Sequence, residues 1–167
     1  MRLFLVGDAN DCQLAKEFEK KIIWPTPILN FTGKLSLYET AIALRQAQCL
    51  LSNDSALGHL AEAVDTPVGI LFGPTTEKFG FSPYKEKSKS FSAQLSCRPC
   101  SKHGKKSCRY NDKLCFTSIP KSDIVAFLLN FFNRSKRYFV TSVWFLKGIS
   151  FLSLSFFVSK LSILAVQ

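Results

Sequence analysis

The sequence predicts the α/β class, a parallel β-sheet with helices on both faces, on three observations. Short apolar runs recur at residues 3–6, 49–52 and 67–72, and each ends in a turn of small or polar residues. Between them lie stretches whose apolar residues fall at helical spacing. Strands alternating with helices at such short separations imply right-handed βαβ units. At 167 residues the chain is long enough for one such domain with a real core.

The first strand, residues 3–6, ends in Gly7-Asp8-Ala9-Asn10, and Leu14, Phe18 and Ile22 then mark an amphipathic helix. Pro25 and Pro27 close it, because proline has no N–H and cannot continue a helix. Residues 28–31 read as the second strand. Ser36 and Glu39 have capping-box spacing, which predicts a helix to about Gln46. The third strand, residues 49–52, feeds a helix over about residues 55–64, and residues 67–72 form the fourth strand. Beyond Phe79 come a basic loop to residue 90, a short strand at 91–95 and a cysteine-rich loop at 97–118. Ile124, Phe127, Leu128, Phe131 and Phe132 predict a helix after Pro120.

Ligands of parallel sheets gather at the carboxyl ends of the strands. The loops beginning at Gly7, at Ser52 and at Gly73-Pro74-Thr75 therefore share one rim. The polar knot Ser52-Asn53-Asp54-Ser55 delivers a buried strand into a helix, and the first helical amides lack partners and carry the positive end of the dipole. A phosphate is stabilised there without a cationic side chain. Asp54 is equally suited to cap the helix. His59, one turn into an apolar helix, reads either as a ligand or as a satisfied, half-buried histidine.

Composition is globular, with 47% hydrophobic and 20% charged residues. The net charge of +10 raises nucleic acid or an anionic membrane as partners. The lysines, however, crowd into residues 85–89 and 102–106, without the interleaved aromatics of a base-stacking surface, so nucleic acid is not expected. The amino-terminal apolar run is too short for a secretory signal. Six cysteines without export fit a reducing compartment.

Four segments together resemble glycosyltransferase family 9, the ADP-heptose:lipopolysaccharide heptosyltransferases. They are residues 33–39 (Gly-Lys-Leu-Ser-Leu-Tyr-Glu), the knot and helix start at 52–61, residues 66–75 with their Phe-Gly-Pro-Thr ending, and Cys97-Arg98-Pro99-Cys100 with Cys108 and Cys115 following. The resemblance covers about residues 2–133. It implies a Rossmann-like domain, the C-terminal one of a GT-B arrangement, that binds ADP-heptose as donor substrate with no further cofactor. The amides of Ser55, Ala56, Leu57 and Gly58 would hold the diphosphate, Asp54 would bond sugar hydroxyls, and His59 would steady the loop or a phosphate. Ala56 stands where many relatives have Gly, and its methyl narrows the approach of a phosphate, which Gly58 would partly relieve. No catalytic residue maps onto this chain, since the resemblance places the carboxylate base in an N-terminal domain. The expectation is a truncated, donor-binding half, inactive alone, whose full-length relatives take lipopolysaccharide core as acceptor. Its expected location is cytoplasmic, at the inner face of the inner membrane.

Two other readings stand beside this one. Cys97, Cys100, Cys108 and Cys115 could form a zinc-binding interaction module, although a ribbon pattern would show a second close pair and reduced thiols packing a loop are the commoner outcome. Residues 134–167 form a basic, then hydrophobic tail that suggests peripheral membrane contact by a non-catalytic remnant. Lys147 and Lys160 leave only residues 148–159 uncharged, whereas a span needs about twenty residues. The serine-rich alternation without helix caps resembles non-native read-through.

Overall fold

The computed structural model describes residues 2–23, 27–104, 107–110, 113–132 and 138–142. β1 (Arg2–Val6) is buried over its last four residues. Leu3 and Leu5 enter one apolar cluster while Phe4 and Val6 enter another. That alternation is the period-two pattern of a strand covered on both faces. α1 (Cys12–Lys21) adds Ala15 and Phe18 to the first cluster. β2 (Leu29–Asn30) pairs with β1 at the sheet edge.

α2 (Leu37–Arg45) opens with the predicted capping box: the Glu39 amide donates to Ser36 Oγ at 3.3 Å, and the Ser36 amide donates to Glu39 Oε2 at 2.8 Å. The Ser36 hydroxyl and amide hold the Glu39 carboxyl below its ordinary range. The helix packs Leu44 into the second cluster. β3 (Leu50–Asn53) and β4 (Val68–Phe72) are buried throughout, and α3 (Ala56–Ala63) joins them. Residues between α2 and β3, and between α3 and β4, are few, so each helix folds back directly over the sheet.

β5 (Lys89–Ser92) begins two residues before the predicted strand at 91–95. Gly69–Lys89 to Phe72–Ser92 pairing fixes the register, a non-local constraint that local composition does not carry. α4 (Leu114–Thr117), a single turn, interrupts the cysteine-rich stretch read as loop. α5 (Lys121–Phe132) follows Pro120 as predicted and packs Ile124, Phe127, Leu128 and Phe131 into the first cluster. The Phe127 ring meets Phe91 edge-on at 5.7 Å.

β6 (Tyr138–Ser142) lies within the stretch that composition assigned to the tail, yet it pairs in parallel with both β1 and β3. The sheet order is β2-β1-β6-β3-β4-β5, all parallel. This is a Rossmann-like sheet, with α1 and α5 on one face and α2 and α3 on the other. From β1 the chain winds outward to β2, and from β3 it winds the other way to β5. The reversal, the position where open α/β sheets bind ligands, falls between β1 and β3. No helix among the described residues is long and apolar enough to cross a membrane, and residues 148–159 lie outside them.

Candidate functional site

The knot between β3 and α3 departs from one expectation. Ser55, not Asp54, occupies the N-cap of α3, with extended backbone and no side-chain capping bond to the helix. Its hydroxyl lies 3.0 Å from that of Ser52, whose Oγ donates to the Asn53 carbonyl at 2.8 Å. The leading amides of α3 therefore receive no side-chain cap from Ser55, the arrangement that suits an anion. Asp54 is half-buried and its Oδ2 accepts a 2.8 Å hydrogen bond from Thr75 Oγ1. The Asp54 amide donates to the Leu71 carbonyl of β4 at 3.2 Å. Two predicted rim loops are thus joined through Asp54 and Thr75.

Gly58 packs closely on the sheet. A Cβ there would lie 2.9 Å from Ile70 Cδ1, so its absence lets α3 settle on β4. Ala56 itself is exposed at the first helical position, and Leu57 packs against the second cluster. The His59 ring, half-buried, lies 6.1 Å from the Phe81 ring at a tilt of 56°. Phe81 belongs to a loop anchored by Glu62, a fully buried carboxylate on α3. Glu62 Oε1 accepts the Tyr84 and Lys85 amides at 3.0 and 2.9 Å. Lys85 also forms an ion pair with Asp65 just beyond α3.

Gly7 forms a second pair of joined loops. The Gly33 amide donates to the Gly7 carbonyl at 3.0 Å. A Cβ on Gly7 would meet Asp11 Oδ2 at 2.8 Å, and Asp11 closes the turn by accepting the Asp8 amide. Gly33 has φ +69°, with Cys12 Sγ only 2.9 Å from where a Cβ would stand.

The Gly73-Pro74-Thr75 loop is held from the cysteine-rich segment. Arg98 donates to four backbone carbonyls: Gly73 (2.6 Å), Phe72 (3.0 Å), Thr75 (2.9 Å) and Ala93. The Cys100 amide donates to the Pro74 carbonyl at 2.8 Å. A Cβ on Gly73 would overlap the Phe116 ring at 2.2 Å, so α4 packs against this turn. For Glu77, burial opposes ionisation most strongly, but hydrogen bonds led by Ser92 and the charge of Arg98 outweigh it and lower the carboxyl. Glu62 has no signal in the sequence and Arg98 only its place in the Cys97–Cys100 segment, because their partners are backbone groups on other segments.

Among the described residues no group of three or more His, Cys, Asp or Glu side chains could hold a metal ion, and no disulfide is present. Burial pushes the Cys115 thiol up, and the nearby Cys100 and Cys108 add to that against the pull of Arg98. The segment instead braces the rim loop.

The knot, the Gly-Pro-Thr turn and the sheet that aligns them coincide with a known signature. The sequence pattern described as Glycosyltransferase family 9 (heptosyltransferase) matches residues 2–111. The chain belongs to this family. Among its relatives, Lipopolysaccharide heptosyltransferase 1 of Pseudomonas aeruginosa is 38% identical over 77 residues, 46% of this chain and 21% of that protein. Lipooligosaccharide heptosyltransferase 2 of Haemophilus influenzae is 30% identical over 79 residues, 45% of this chain and 22% of that protein. The family 9 chain thus spans about a fifth of the length of the curated relatives it matches. No solved structure matches it.

Proposed function

We propose that this chain binds the nucleotide-sugar donor of a heptosyl transfer, with ADP-heptose as donor and no cofactor besides it. The observation that carries the reading is the 2.8 Å bond from Thr75 to Asp54 beside the uncapped start of α3, at the carboxyl ends of β3 and β4. In this reading the diphosphate lies on the amides of Ser55, Ala56 and Leu57, beside the Gly58 amide, which donates to the Ser55 carbonyl at 3.1 Å. Asp54, held at its Oδ2 by Thr75, accepts from sugar hydroxyls with its other oxygen, while Gly7 and Pro74 line the rim and His59 steadies the helix start against Phe81.

The chemistry follows from charge. When the glycosidic bond breaks, negative charge grows on the departing diphosphate. Oriented amides at a helix start meet that charge without reorganising. Transfer also needs a base for the acceptor hydroxyl. None of the residues gathered at this rim is assigned that role; the part assigned to this chain is donor binding, by residues 1–133 together with β6, which pairs with β1 and β3. The acceptor, as the relatives' names suggest, would be a lipopolysaccharide or lipooligosaccharide, its core met, in this proposal, at the inner face of the inner membrane.

Calorimetric titration of ADP-heptose into the full chain tests this. The expected result is saturable binding with Kd below about 1 mM, a free energy near −4 kcal/mol or better. Asp54→Asn should weaken ADP-heptose more than ADP. Absence of heat at millimolar donor contradicts the reading.

A further inference from the structure

We propose that Arg98 is a positioning residue for the donor site, acting through Thr75 on Asp54. The inference rests on the donor-binding reading above and adds to it a residue outside the rim. Arg98 donates from its guanidinium to four backbone carbonyls, those of Phe72, Gly73 and Thr75 at the end of β4 and of Ala93 beyond β5. A cation so engaged is not a phosphate ligand. Its planar fork fixes the direction of the turn, which a lysine ammonium cannot reproduce.

The chain of contacts continues to the site. Arg98 Nη2 holds the Thr75 carbonyl at 2.9 Å, and the Thr75 hydroxyl holds Asp54 Oδ2 at 2.8 Å. The adjoining Cys100 amide fixes the Pro74 carbonyl, so the turn is clamped at three successive residues. Phe116 fills the space beneath Gly73. Nothing in this set of contacts reaches the α3 amides directly. Loosening the clamp should therefore misplace the sugar-binding carboxylate while leaving the diphosphate grip in place.

The test uses the full chain with R98K, T75V and the double variant. ADP-heptose Kd should rise about fivefold in each single variant, the effect of one hydrogen bond, while ADP Kd moves less than about twofold. The double variant should be no weaker than the worse single one, because both changes break the same path. Equal losses for ADP and ADP-heptose, or losses that multiply in the double variant, overturn the inference. Amide exchange gives a reading that needs no donor. In R98K the Cys100 and Asp54 amides should exchange at least about tenfold faster, with β1 unchanged. Unchanged exchange there, or loss spread evenly over the sheet, also overturns it. If the parent chain binds neither ligand, the donor-binding reading fails and the exchange result alone decides whether Arg98 holds the Thr75–Asp54 loop.

Discussion

Asp54 and Ser55 divide two tasks that either could perform. Both are strong N-cap residues, as are Ser52 and Asn53, so the sequence places the helix start within the knot without choosing the cap. Tertiary structure makes the choice: the Thr75 hydroxyl engages Asp54 and leaves Ser55 at the cap. Gly58 shows the same limit. Sequence suggests that it relieves crowding beside Ala56, and Ile70 Cδ1 at 2.9 Å adds a packing contact that sequence does not carry. Gly58→Ala should cost about 1–3 kcal/mol of unfolding free energy, and Ile70→Val, which removes Cδ1, should recover part of it in a double-mutant cycle by urea denaturation. Strictly additive losses would contradict the contact. Cys49 gives a pH signature. Burial pushes its thiol far above the ordinary range, so the folded chain keeps a proton that the unfolded chain releases above about pH 8.5. Stability must then fall as pH rises through that point. Wild type should lose up to about 1.4 kcal/mol per pH unit more than Cys49→Ala between about pH 9 and 10, measured by denaturant titration.

Helix starts and the strands with local turns were legible because their determinants are close in sequence. The Ser36–Glu39 box is the clearest case, both reciprocal bonds being present. Ser36→Ala should lower stability by about 1 kcal/mol with no effect on ADP binding, checked by thermal unfolding and calorimetry. β5 shows the opposite case, since its register comes from β4 and not from its own residues. The loop from Phe81 to Lys85 is likewise placed by a distant group, the buried Glu62 carboxylate. Glu62→Leu leaves the Tyr84 and Lys85 amides without their acceptor and should cost about 2–4 kcal/mol, while Glu62→Gln, which keeps one acceptor oxygen, should cost less. Equal stability of Leu and Gln variants would show that the amides find other partners.

The whole sheet depends on a strand that composition concealed. Residues 134–167 differ from the rest in their Phe, Leu and Ser content, which reads as a tail, but pairing depends on an available slot rather than on composition. β1 and β3 each find their partner in β6, whose Val140 pairs with Phe4 on one side and Leu50 on the other. In doubly wound sheets of order 3-2-1-4-5-6, that central slot belongs to the first strand of the unit. Here the last described strand fills it. Val140→Pro removes a ladder N–H in mid-sheet and should cost about 3 kcal/mol or more, read as a lowered urea midpoint with faster exchange in β1 and β3. The slot aligns the ends of β1 and β3, and hence the rim where the knot stands. The central claim, that the start of α3 grips the donor diphosphate, is tested most directly by amide chemical shifts during ADP titration of the full chain. The account predicts saturable shifts concentrated at Ser55, Ala56 and Leu57, absent with adenosine. Shifts elsewhere with those three amides unmoved at millimolar ADP would contradict it.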